Sequence, residues 1–75
     1  MIDYNSKKDV SALIRQKKDE IRRLDNLATV YVMEGREEHV LDCRERILRN
    51  QGNIEHLEAI LESIKRKEHE KVLFT

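Results

Sequence analysis

Glu34-Gly35-Arg36-Glu37 divides the chain into two long stretches in which apolar residues recur at heptad spacing. Gly35 can adopt the left-handed conformation that ends a helix, and acidic residues after it suit the start of another. Residues spaced alternately by three and four form one stripe along a helix, which we call the seam. The seam comprises Val10, Ile14, Lys17, Ile21, Leu24, Ala28 and Tyr31 in the first stretch, and Val40, Cys43, Ile47, Asn50, Ile54, Leu57, Leu61 and Ile64 in the second.

The two halves of the seam match each other if the chain reverses direction at the glycine. Antiparallel partners then have residue numbers that add up to a constant, and a sum of 71 pairs every seam residue of the first helix with one of the second. This agreement predicts an all-α fold, an antiparallel two-helix hairpin that resembles a coiled coil. We expect one domain, residues 1–75, with a helix at about 7–34, a turn at about 35–36 and a helix at about 37–71.

One stretch of the second helix is typical of a break. Asn50-Gln51-Gly52-Asn53 resembles a helix end followed by a new N-cap, which would give three helices. However, a glycine costs only about 1 kcal/mol inside a helix. Ile47 and Ile54 also keep the heptad spacing across Gly52, which a loop has no reason to preserve. We therefore expect a continuous second helix, with a break at Gly52 as the alternative.

Composition limits the possible classes of function. Acidic and basic residues number 15 each, whereas a DNA-binding domain usually carries a net positive charge. The N-terminus lacks the apolar stretch of a signal peptide, and no apolar run approaches the roughly 20 residues of a membrane span. Cys43 is the only cysteine, which is typical of a reducing compartment. These features predict a cytoplasmic protein without a membrane partner.

Several apolar residues lie outside the seam. Burying one such side chain stabilises a protein by roughly 1.5–3 kcal/mol, so we expect another protein chain to cover them. A second copy of the hairpin would give a homodimeric four-helix bundle, or a higher oligomer. The alternative is that these residues widen the apolar stripe of the hairpin itself. The predicted interface comprises Leu13, Leu27, Val30, Val32, Met33, Leu41, Leu48 and Ile60.

Two polar residues, Lys17 and Asn50, interrupt the apolar seam. A polar residue at a seam position commonly fixes the register and the oligomeric state of packed helices, at some cost in stability. We expect that role for both residues rather than ligand binding.

No residue pattern indicates catalysis. The sequence lacks a glycine-rich phosphate loop, a GxSxG motif and a Cys/His pair with a third orienting residue. His39 and Cys43 lie one helical turn apart, but a zinc site needs three or four ligands. Because Cys43 belongs to the seam, we expect it to be a small buried apolar residue. We therefore expect no enzymatic activity, no metal and no cofactor.

These features favour a small protein–protein interaction module that binds itself and also binds or regulates another protein, as an adaptor or inhibitor. Motif-free, highly charged chains of this size are common among bacterial and phage accessory proteins. The alternative is nucleic-acid or anionic-ligand binding by a hairpin dimer, although acidic residues are interleaved with the basic ones. The candidates for anion binding are Arg15, Arg22, Arg44 and Arg49.

The layout resembles two kinds of small helical hairpin, namely the dimeric plasmid-copy-number RNA binders and the sporulation phosphatases that act on response regulators. The Ser-x-Glu-Leu-Asp motif of the second kind does not occur in this chain. The resemblance is therefore one of architecture, and it implies no site residue.

Overall fold

The computed structural model describes residues 2–74, with side chains described up to Glu70. Within that range there are two helices and no strand: α1 spans Lys7–Glu34, and α2 spans Glu37–Phe74. The helices pack against each other as a hairpin with principal extents of 61 × 17 × 16 Å. The predicted all-α hairpin is confirmed. Met1 and Thr75, which the predicted domain includes, lie outside the described residues.

A side-chain cap begins α1. The backbone of Ser6 is extended, and its hydroxyl oxygen accepts a hydrogen bond of 3.3 Å from the N–H of Asp9. This bond satisfies one of the donors that have no partner in the first turn of a helix. The carboxylate of Asp9 in turn accepts a bond of 3.2 Å from the N–H of Asp3. The segment before α1 is therefore held against the start of the helix.

Gly35 ends α1 in the left-handed conformation, with φ 73° and ψ 21°. Its N–H donates to the carbonyl of Val32 at 3.1 Å, and the N–H of Arg36 donates to the carbonyl of Tyr31 at 2.9 Å. These two bonds form a Schellman motif, which satisfies the last carbonyls of a helix. The carbonyl of Arg36 then accepts the first bond of α2, from the N–H of Val40 at 3.1 Å. The chain thus reverses within two residues.

The second helix continues through Gly52 without interruption. The cost of a helical glycine is small compared with the apolar contacts on either side of it. Ile54 is buried in one apolar cluster, and Ile47 packs against another. The structure therefore has the continuous second helix and not the alternative break.

Every buried residue in the described part of the chain belongs to the seam. Most of the core forms two clusters, one of Val10, Ile14, Ile54 and Leu57, the other of Leu24, Ala28 and Cys43, and Val40 is also buried. Ile14 and Leu57, which the predicted register pairs, share a cluster, and so do Ala28 and Cys43. The polar residue Asn50 lies on α2 between the residues that belong to the two clusters, and only 6% of its surface is exposed.

Candidate interaction surface

Most of the predicted interface residues are exposed in the single hairpin. Their exposed fractions are 42% for Leu27, 46% for Val30, 59% for Val32 and Leu41, 66% for Leu48 and 83% for Met33. Leu13 and Ile60 differ, because they are only partly exposed and pack against the cluster that contains Val10. These two residues widen the apolar stripe of the hairpin itself, whereas the exposed ones keep about two fifths or more of their surface open within the described chain.

The exposed apolar residues occupy opposite long sides of the hairpin. Each residue of a helix is rotated by about 100° from the one before it, so residues just after and just before a seam residue point to different sides. Val32 and Leu41, which each follow a seam residue, line one groove together. Leu13 and Ile60, which each precede a seam residue, line a different groove of about 520 Å³.

We name the two sides after one exposed leucine each. The Leu41 side consists of residues that directly follow a seam residue, and its apolar members are Val32, Leu41 and Leu48. The Leu27 side consists of residues that directly precede one, and its apolar members are Leu13, Leu27, Val30 and Ile60. Met33 belongs to neither set and lies on the outer face of α1.

Two rows of like charge lie on the Leu41 side, one on each helix, and Asp25 on α1 and Arg44 and Lys65 on α2 lie on this side outside the rows. The basic row lies on α1 and the acidic row on α2, and every member is exposed. Among the described residues, no member has an opposite charge within 4.0 Å, and the ion pairs present are Lys7–Glu68, Arg36–Glu34 and Arg46–Asp42. The basic row comprises Arg15, Lys18 and Arg22, and the acidic row comprises Glu55, Glu58 and Glu62. The two rows are therefore available to another molecule.

The four candidate anion-binding arginines do not form one surface. Arg15, Arg22 and Arg44 each follow a seam residue and belong to the Leu41 side, whereas Arg49 precedes Asn50 and belongs to the Leu27 side. The acidic row shares the Leu41 side with the first three. A polyanion approaching that side would therefore meet both signs of charge.

The amide group of Asn50 is buried without a partner. Its Nδ2 atom has no hydrogen-bond partner within the described residues. A buried donor in this state costs roughly 1–3 kcal/mol, which makes Asn50 a local weakness of the isolated hairpin. Lys17, the other polar seam residue, is only partly buried and lines the groove beside Leu13 and Ile60. Its long side chain can therefore bring the ammonium group to water.

His39 and Cys43 have different surroundings. Cys43 is a free thiol, 3% exposed, within the cluster that contains Ala28. His39 is exposed, and the centroid of its ring lies 4.8 Å from that of Tyr31. No group of three or more His, Cys, Asp or Glu side chains is placed to hold a metal ion in the described part of the chain. Cys43 packs as the small apolar residue that its seam position predicts.

The segment before α1 also contributes to this surface, which the heptad spacing does not indicate. Ile2 and Tyr4 line the groove on the Leu27 side, together with Leu13 and Ile60. The spacing of Ser6 and Asp9 does indicate a capped helix start at this place, since a serine three residues before an acidic residue is typical of one.

Comparison with known proteins adds no assignment to this surface. No family model, curated protein or solved structure matches the chain. Neither α1 nor α2, as far as the structure describes them, has the length and apolar character needed to cross a membrane. A function for the chain is therefore inferred from its own exposed residues.

Proposed function

We propose that this chain is a small protein–protein interaction module, a helical hairpin that self-associates as a homodimer or higher oligomer and binds or regulates another protein. The observation that carries the proposal is the exposure of Leu41 and Leu48 on one side of α2. Leu41 also lines one groove with Val32, and exposed apolar side chains that adjoin one another mark contact surfaces more often than isolated ones do. The lone, buried cysteine suits a reducing compartment, so the proposal includes a cytoplasmic location.

The shape of the hairpin supports this proposal. The molecule is 61 Å long but only 17 Å by 16 Å in cross-section, so each helix contacts its neighbour along one stripe. A chain of 75 residues buries too little surface in this shape for more than marginal stability. A second hairpin packed as a four-helix bundle would cover further apolar residues and stabilise both copies.

The double substitution Leu41→Glu and Leu48→Glu tests the proposal. Both side chains are exposed in the single hairpin, so its helix content measured by circular dichroism should not change. Two charges in the interface should weaken self-association by at least about 3 kcal/mol, or roughly a hundredfold in the dissociation constant. Light scattering across a concentration series gives the mass.

The matched control is Ala59→Glu with Ser63→Glu, which adds the same charge at exposed positions of α2 away from Leu41 and Leu48. This variant should retain the mass of the parent chain. The proposal is wrong if the substitutions at Leu41 and Leu48 leave both the mass and the binding of other proteins unchanged.

Nucleic-acid or anionic-ligand binding has less support. Arg15, Arg22 and Arg44 share one side and are exposed, which favours contact with phosphate groups. The acidic row lies on the same side, however, and the chain carries no net charge to attract a polyanion. Protein–protein interaction therefore accounts for more of the exposed residues than nucleic-acid or anionic-ligand binding does.

A further inference from the structure

We infer that the Leu41 side binds a second copy of this chain in one particular arrangement, with the two turns at the same end of the dimer. The two-fold axis then runs along the length of the hairpin, and α1 of each copy packs on α2 of the other. This inference rests on the proposed self-association and adds the orientation of the two copies.

The charged rows favour this arrangement. The antiparallel register of the hairpin brings residues 15–18 of α1 alongside residues 53–56 of α2, at the same height along the long axis. Rotation by half a turn about that axis keeps every residue at its height and exchanges the positions of α1 and α2. Arg15 and Lys18 of one copy therefore face Glu55 and Glu58 of the other, twice in each dimer.

The apolar residues favour the same arrangement. Val32 and Leu41 line one groove beside the turn, and Leu48 lies two helical turns further along α2. When both turns are at the same end, Val32 and Leu41 of the two copies adjoin and form one apolar area beside the turns. Exposed ion pairs add little affinity, so the apolar area supplies the binding and the charged rows select the orientation.

The opposite arrangement, with the turns at opposite ends, lacks both advantages. At full overlap it stacks α1 on α1, which brings Arg15 of one copy towards Lys18 of the other. It also places Leu41 and Leu48 against the charged far end of α2, beginning near Glu62. Repulsion between like charges and the burial of charge against apolar residues both oppose this pairing.

A distance measurement between the two turns tests the inference. Arg36→Cys in a Cys43→Ala chain carries one spin label at the exposed turn, and light scattering establishes the mass of the labelled protein. The expected result is a dimer with a label separation below roughly 30 Å, because packed helices lie about 8–10 Å apart. A dimer with labels separated by most of the 61 Å hairpin would overturn the orientation but leave self-association intact. A monomer would overturn both.

Charge reversal tests the orientation in a chain that keeps Cys43. Arg15→Glu with Lys18→Glu makes both rows acidic, and Glu55→Lys with Glu58→Lys makes both rows basic. Each variant should raise the dimer dissociation constant at least tenfold, and the chain that carries all four changes should return to within about threefold of the parent.

The control for these variants is Arg23→Glu with Arg49→Glu, which alters charges of the Leu27 side and should leave the dissociation constant within threefold of the parent. Circular dichroism verifies that each variant is helical. Dimers that tolerate both single-row reversals without weakening would contradict the inference.

Discussion

Gly35 and Gly52 are the two glycines of the chain, and both have open space where a Cβ atom would lie. Their backbones differ, because Gly35 has a φ of 73° and Gly52 is inside α2. Gly35→Ala should lower the free energy of unfolding by about 1–2 kcal/mol through left-handed strain. Gly52→Ala should raise it by about 1 kcal/mol through helix propensity. Urea unfolding at one protein concentration measures both changes. A loss of stability in Gly52→Ala would argue against a continuous α2.

The buried amide of Asn50 also has a measurable cost. Asn50→Leu removes the unsatisfied donor and adds apolar contacts, so the free energy of unfolding should rise by about 1–3 kcal/mol. Because a polar seam residue restricts register, the variant should also populate more than one oligomeric state in light scattering. Asn53→Leu is the control, since Asn53 is exposed and its replacement should change stability by less than about 0.5 kcal/mol. A less stable Asn50→Leu would mean that the amide has a hydrogen-bond partner.

At the scale of the helices, heptad spacing was sufficient to predict the hairpin. Every seam residue is buried or partly buried, from Val10 beside the N-terminus of α1 to Ile64 near the end of α2. The spacing encodes contacts within the chain, and those contacts decide which faces of the two helices meet. Whether one of the remaining apolar residues lies on the Leu41 side or the Leu27 side depends on its angle about the helix axis as well as on its position along the chain. The predicted interface includes both Val30 and Val32, although the two belong to different sides.

The two helices differ in length, which should produce uneven protection of the backbone. α1 has 28 residues and α2 has 38, and the seam ends at Ile64 while the side chains of 65–70 are exposed. Amide hydrogens of residues 43–57 should exchange slowest, and those of 65–70 should exchange close to the rate of an unprotected chain. Hydrogen exchange followed by mass spectrometry resolves these segments. Equal protection up to residue 70 would mean that another chain covers this end.

At the scale of the whole molecule, the sequence identifies the surface residues but not what covers them. An exposed leucine such as Leu48 has the same spacing on α2 whether it faces water, a second hairpin or an unrelated protein. Heptad spacing describes how the helices pair within one chain. The orientation of two chains depends on which charged and apolar residues of the two copies lie at the same height along the hairpin. The substitution of Leu41 and Leu48 tests the association, and the distance between turns tests the orientation.

The rate at which the Cys43 thiol reacts measures how often the two helices of the wild-type chain separate. The thiol lies between α1 and α2 and is the only one in the sequence, so a thiol reagent gains access when the hairpin opens. The rate of modification therefore reports how often opening occurs, without any introduced probe. A molecule that binds across both helices lowers that rate. Slower modification of the thiol therefore identifies binders whose chemistry is unknown in advance.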